Sequence, residues 1–304
     1  MSKTVTGLVT GSLGGLYQVQ TETGPLSLRA RGALRQDGGK VLVGDRVECL
    51  VSDAPGESCI TRMLPRQNSL IRPPLANLTA LWAVAAAGQP APDLPTLDKL
   101  FAICEVAGIA CGLLVTKADV SPEQAAALES IYTRAGYRVY RVCAPRGEGL
   151  EAVRGAVQAA LQNGGIGAFA GASGVGKSTL LNALFPDFAR QTGTVSTKTG
   201  RGRHTTRCVE LFPLPKGGYL ADTPGFSLLD FARFDFFPLE RLAEGFREFA
   251  PYLAHCRYAD CTHTKEEECG VRAAVKAGKI AASRQESYAA LYQILKEKKN
   301  TYPR

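Results

Sequence analysis

Long apolar runs are missing from this chain. The longest, near residues 80–87, is far shorter than the ~20 residues a helix needs to cross a bilayer, so no membrane partner is expected. The first ten residues are polar and lack the apolar stretch of a secretory leader. There is no internal repeat and no low-complexity tract, which excludes a solenoid or a disordered tether as the organising principle. Aromatic residues supply only 8% of the chain. In the N-terminal segment Tyr17 stands alone, so there is no row of rings on which single-stranded bases could stack. The nine cysteines are odd in number and mostly scattered singly, against a disulfide framework. Without a leader, reduced thiols and a cytoplasmic location are expected.

What is present is length and uneven charge. At 304 residues, 45% hydrophobic and 21% charged, the composition is that of a globular protein of two or three domains. The net charge is +8; residues 1–66 carry 8 basic and 6 acidic side chains, whereas residues 271–304 carry 8 and 2. The excess therefore sits mainly in the C-terminal segment, where it suits either an RNA phosphate backbone or a solvated helix face.

Short strands near residues 7–9, 16–21, 26–31, 47–51 and 58–63, with glycines at the corners, predict an OB-type β-barrel over residues 1–66. Residues 66–74, with Pro73-Pro74, read as a linker. Apolar strands then alternate with helical patterns: strands near 78–87, 111–115, 138–142 and 165–170, helices near 96–107 and 148–161, and a helix starting at Ser121-Pro122 with good capping chemistry. This predicts a mostly parallel sheet with covering helices over residues 67–237. From residue 238 to 304 helices are interrupted by a cluster of cysteine and histidine.

Within the second segment lies Gly171-Ala172-Ser173-Gly174-Val175-Gly176-Lys177-Ser178-Thr179, after a predicted strand and opening a predicted helix. Glycines let the loop curl so that its N–H groups face a phosphate, Lys177 adds charge for the β- and γ-phosphates, and the Ser178 hydroxyl suits Mg²⁺. Downstream, Asp222-Thr223-Pro224-Gly225 places a carboxylate for Mg²⁺ at a strand end and the Gly225 N–H for a γ-phosphate. Between them Thr205 and Thr206 are both candidates for a second Mg²⁺ hydroxyl, Thr205 being favoured. Thr116-Lys117-Ala118-Asp119 can read a base: the Asp119 carboxylate accepts from the paired donors of guanine, which adenine lacks, and Lys117 can lay its stem on the ring. Cys143-Ala144 follows the next strand, placing the Ala144 N–H for the base carbonyl. This base-reading element lies upstream of the phosphate loop. The order describes a circularly permuted GTPase domain. Phe226 stands where a glutamine often orients the attacking water, so another group must do so; His204, in the Gly-Arg-rich loop, is the nearest polar candidate.

Cys256, Cys261, His263 and Cys269 lie within fourteen residues. Three thiolates and an imidazole suit one tetrahedral, structural Zn²⁺ with no open position. His255 is a rival imidazole.

Together these residues resemble the RsgA/YjeQ family of circularly permuted, small-ribosomal-subunit-dependent GTPases. The resemblance implies an α/β protein with an OB barrel, a permuted P-loop GTPase domain and a C-terminal helical zinc domain. It implies GTP and GDP as ligands, and the small ribosomal subunit, through rRNA and ribosomal proteins, as partner of a monomer acting late in subunit maturation. A histidine matching His204 is the family's catalytic candidate. Two departures are visible: Thr116 replaces the usual Asn, and Glu266-Glu267-Glu268 replaces a frequent Glu-Pro-Gly, which is expected to weaken a turn. Two other readings remain open, an RNA-binding assembly factor with nucleotide as a mere structural ligand, and a P-loop kinase with an accessory barrel.

Overall fold

The computed structural model describes residues 2–32, 34, 39–54, 56–186, 209–222 and 230–301. The chain gathers into two compact units. One comprises Met1–Ala80, Val157–Ala168 and Asp187–Gly225, the other Leu81–Ala156, Phe169–Pro186 and Phe226–Arg304.

The first unit opens with β1 (Ser2–Leu13), β2 (Leu16–Thr21), β3 (Gly24–Ala30), β4 (Arg46–Ser52) and β5 (Cys59–Met63). Their order is β1-β2-β3-β5-β4, and β4 returns to β1. The sheet thus closes into the expected five-stranded barrel and leaves no free edge among these strands. β1 serves two partners: residues 2–8 face β4 and residues 7–13 face β2, with a bulge between Val9 and Gly11. Gly7 sits where the partners change. A Cβ there would lie 2.5 Å from Val19 Cγ1, so only glycine allows the crossing. Alternation then buries one face: Val9, Val19, Leu28, Val47, Cys49 and Ile60 form the barrel core. Burying each aliphatic side chain fully contributes about 1.5–3 kcal/mol.

Residues 66–74 are not a plain linker. Arg66 grips the buried Asp45 with both arms of its fork, at 2.6 and 2.7 Å. Beyond it β6 (Ser69–Leu70) and β7 (Leu75–Ala76) pair antiparallel on either side of the prolines. Asn68 bonds both the N–H and the carbonyl of Leu78, and Asn77 donates to the Gly44 carbonyl. The prolines occupy a turn, as their fixed φ requires, and the flanking polar side chains fasten it to the barrel.

The chain continues through β8 (Ala80–Ala86), α1 (Leu94–Ala107), β9 (Ala110–Thr116), α2 (Pro122–Arg134), β10 (Arg138–Arg141), α3 (Leu150–Ala160), β11 (Ile166–Ala170) and α4 (Lys177–Leu184). In the second unit the strand order is β10-β9-β8, and β10 runs parallel to β9. Every residue of β8 is buried, the signature of a strand covered on both faces. α1 is well delimited. Asp93 caps its first turn by accepting the Thr96 N–H, Pro stands at its start, and Gly108 closes it at φ 68°. Ser121 occupies the N-cap of α2 but makes no side-chain cap bond; Pro122 at the first position and Glu123 in the first turn supply the start signal there.

In the first unit, β12 (Glu210–Pro213) and β13 (Tyr219–Asp222) form an antiparallel hairpin closed at Gly217 and Gly218, and β13 runs parallel to β11. The antiparallel β12, which also meets β1 at Gly11, is an exception of the kind a mostly parallel sheet admits.

The C-terminal part of the second unit begins with two 3-10 segments, Leu239–Gly245 and Arg247–His255, before α5 (Gly270–Lys276) and α6 (Ala282–Thr301). Pro251 within the second segment disfavours a regular α-helix. α6 is fixed to α1 by a buried ion network. Arg284, fully buried, bonds Asp98 at 2.7 Å and Glu248 at 2.6 and 3.1 Å, and Tyr132 donates to Asp98. Phe246 and the Tyr137 ring lie against its guanidinium. Such a network contributes little over apolar packing but costs about 3–5 kcal/mol when one partner is removed.

Candidate nucleotide site and metal centre

β11 ends at Ala170, and the glycine loop runs from Gly171 into α4. Gly171 passes so close to β8 that a Cβ would lie 2.3 Å from the Val84 carbonyl oxygen. Gly174 and Gly176 are left-handed, at φ 79° and 91°, and Gly176 is the N-cap of α4. Left-handed glycines running into a helix N-terminus are the backbone pattern by which a loop offers its N–H groups to an anion. Ala172, Ser173, Gly174, Ser178 and Thr179 are exposed, whereas Val175 is buried and pins the loop. Lys177 donates to the carbonyls of Gly171 and Ala172, both at 2.6 Å. Burial pulls its pKa down.

Two of the residues expected to read the base, Thr116 and Lys117, are tied directly to this loop. Thr116, at the end of β9, is buried, and its hydroxyl lies 2.5 Å from the Val175 carbonyl and 3.2 Å from that of Ala85. With one proton to give, the shorter contact takes it. Thr116 thus reaches the loop with a single bond. Lys117 is left-handed at φ 54°, an uncommon backbone for a non-glycine residue. Its ammonium donates to Gln89 O at 2.6 Å and Gly174 O at 3.0 Å, holding its stem beside the loop.

Asp119 lies partly exposed with Arg146 Nη2 at 3.5 Å from its Oδ2. A hydrogen bond from Cys143 is the main cause that holds its carboxyl below the usual range, Arg146 adding to it, so it is ionised at neutral pH. Cys143 is buried where β10 gives way to the 3-10 turn Ala144–Arg146. The structure therefore brings Thr116, Lys117, Asp119, Cys143 and Ala144 into the same unit as the loop from Gly171 to Thr179. Asp222 ends β13 in the other unit, opposite Glu210. His204, Thr205, Thr206, Gly225 and Phe226 lie outside the described residues. The hydroxyl of Ser178 and the carboxylate of Asp222 are hard oxygen donors of the kind Mg²⁺ takes.

Cys256, Cys261, His263 and Cys269 converge, with their ligand atoms all within 4.8 Å of one another. His263 Nδ1 lies 3.5 Å from Cys256 Sγ and 3.6 Å from Cys269 Sγ, and those sulfurs are 4.0 Å apart. A tetrahedron with metal–sulfur bonds of ~2.3 Å and metal–nitrogen bonds of ~2.0 Å separates its ligands by roughly 3.5–3.8 Å. The set fits one metal ion, and His263, not His255, belongs to it. Cys269 also accepts the Arg272 N–H at the head of α5, a bond that favours a thiolate. Burial lowers the pKa of His263 and pushes the Cys261 thiol up to about 12. Burial thus favours the neutral imidazole, the form that binds a metal, and a metal ion held here would displace thiol protons.

The glutamates next to the last cysteine do not leave the turn unsupported. Burial would raise the pKa of Glu266, but bonds from Thr262 and from backbone N–H groups hold it at about 2. Glu268 pairs with Arg257. Sequence reading missed these braces, and it missed Arg146 beside Asp119; the latter's only signal is a basic residue in the turn after Cys143-Ala144.

Comparison with known proteins agrees with this geometry. The RsgA GTPase family model matches residues 63–232, and the RsgA N-terminal domain matches residues 6–59. The small ribosomal subunit biogenesis GTPase RsgA of Moorella thermoacetica is 43% identical over 275 residues, 90% of this chain and 92% of that protein. Its namesake from Caldanaerobacter subterraneus is 38% identical over 97% of both chains. Among solved structures, YjeQ from Thermotoga maritima aligns with a TM-score of 0.79 at 32% identity, over 96% of this chain and 99% of that one. YloQ, described as a circularly permuted GTPase, gives 0.76 at 29% identity over 99% and 97%. The match of the family model to more than half of the chain, within likeness that runs almost end to end, places this chain in the RsgA GTPase family of circularly permuted GTP hydrolases.

Proposed function

We propose that this GTPase acts on the small ribosomal subunit late in its maturation, holding the immature particle with GTP and leaving it after hydrolysis to GDP. The observation that carries the reading is likeness over nearly the full chain to proteins named for small-subunit biogenesis. The barrel and the basic C-terminal segment would supply its contacts to rRNA and ribosomal proteins, and the protein would work as a cytoplasmic monomer.

In this reading the loop from Gly171 to Thr179 cradles the phosphates, and Lys177 leaves the loop carbonyls for phosphate oxygens. Asp119 accepts the two guanine donors, Lys117 lies along the ring, and the N–H of Ala144, beside Cys143, meets the base carbonyl. Ser178, Thr205 and Asp222 would hold Mg²⁺, which neutralises charge between the β- and γ-phosphates when bound. Gly225 would contact the γ-phosphate and His204 would orient the attacking water. With a non-hydrolysable GTP analogue the protein should cosediment with small subunits, and with GDP it should remain in the supernatant. Equal retention in both states would contradict a release cycle.

For the metal centre the proposed ion is zinc, since three thiolates and one imidazole in a closed set match its structural sites. One equivalent should copurify. Cys261→Ala should lose the metal and lower the melting temperature of the C-terminal module, because structural zinc contributes folding free energy directly. Zinc retained at one equivalent in Cys261→Ala would rule out this ligand set.

A further inference from the structure

Arg146 stands beside the base-reading carboxylate at a position the nucleotide site fixes firmly. It is the last residue of the Ala144–Arg146 turn, which Gly147 closes at φ 73°. Cys143 and Glu148 clamp the turn by exchanging two backbone bonds, at 3.1 and 3.2 Å. Gly149 follows, where a Cβ would lie 2.2 Å from the Arg141 carbonyl oxygen, so only glycine lets the chain pass that close. The guanidinium spans two carboxylates. Its Nε lies 3.0 Å from Glu148 Oε1, and its Nη2 lies 3.5 Å from Asp119 Oδ2.

A carboxylate offers about four lone-pair positions. The paired donors of guanine need one on each oxygen, which leaves Oδ2 a second position for Arg146. Cys143 already bonds this carboxylate, which takes one more of its four positions, and any remaining turn about its last bond spoils a two-point match. A charge anchored by Glu148 and aimed at one oxygen restrains that rotation without consuming the positions the base requires.

We propose that Arg146 is a positioning residue for guanine recognition, held by Glu148 so that it fixes the Asp119 carboxylate in the orientation the base demands. The inference rests on Asp119 reading the base. Its test is a double-mutant cycle on GDP and ADP affinity with the parent, Arg146→Ala, Asp119→Ala and the double variant. Arg146→Ala should weaken GDP binding roughly threefold to fivefold, the scale of an exposed ion pair, and leave ADP binding within about twofold of the parent. In the Asp119→Ala background the same substitution should change GDP affinity no further. High salt should shrink the Arg146→Ala effect by screening. Tighter or unchanged GDP binding in Arg146→Ala overturns the proposal, as does an equal loss when Asp119 is already gone or an equal loss for ADP. A parent with no preference for GDP over ADP removes the base-reading assignment itself; a parent that discriminates, with a GDP-to-ADP preference that Arg146→Ala leaves undiminished, removes only the role of Arg146.

Discussion

Asp119→Asn should weaken GDP binding by roughly 10²-fold and turn the preference toward xanthine nucleotides. Two charge-assisted bonds are each worth about 1.5–3 kcal/mol, and asparagine keeps neither intact. Its amide presents one acceptor and one donor, so a donor faces one of guanine's donors. Xanthine carries a carbonyl where guanine has its amine, and the amide matches it. The parent should bind ADP far more weakly than GDP, since adenine leaves the ionised Asp119 unpaired. Titration of the parent and the variant with GDP, XDP and ADP checks this. An unchanged GDP affinity in Asp119→Asn would show that the base is read elsewhere.

The second large effect concerns turnover. Phe226 has no group that can hold a water, so catalysis must come from another residue. His204 is proposed for that role. His204→Ala should lower subunit-stimulated hydrolysis by roughly 10²-fold, the scale of losing one positioned proton-transfer or water-orienting group. Nucleotide affinity should hardly move, because Gly171 to Thr179 and Asp119 are untouched. Lys177→Ala should instead damage binding and turnover together. Near-normal stimulated turnover in His204→Ala, with binding to the subunit retained, would reject His204.

The parts of this protein most legible in its sequence are those where local chemistry leaves one solution. Glycines at 171, 174 and 176 are needed because one passes against the Val84 carbonyl and two adopt left-handed backbone. Five short strands with glycine corners gave the barrel, since alternation fixes which face is buried. The convergence of Cys256, Cys261, His263 and Cys269 followed from their spacing and chemistry alone.

What escaped the sequence depends on tertiary neighbours. Residues 66–74 read as a linker because Pro73 and Pro74 break regular structure; the braces from Arg66 to Asp45 and from Asn68 to Leu78 span distances that no local pattern records. The fork of Arg284 resembles any helix-surface arginine until Asp98 and Glu248 are brought beside it in the fold. Thr116 read only as a departure from the usual asparagine, and its hydroxyl bond to Val175 shows once the loop is folded beside it. Arg146 belongs to the same class. Its meaning arises only when the turn after β10 is folded against Asp119.

The central claim is that a permuted guanine-nucleotide site in this chain hydrolyses GTP in response to the small ribosomal subunit. The most direct measurement is the rate of phosphate release from GTP by the parent protein, alone and with purified small subunits. Slow turnover alone and a large increase on adding small subunits, not reproduced by large subunits or by free RNA of equal charge, is the expected result. A rate that small subunits leave unchanged, for protein that binds both GTP and the particle, would contradict the account and favour a nucleotide used only as a structural ligand.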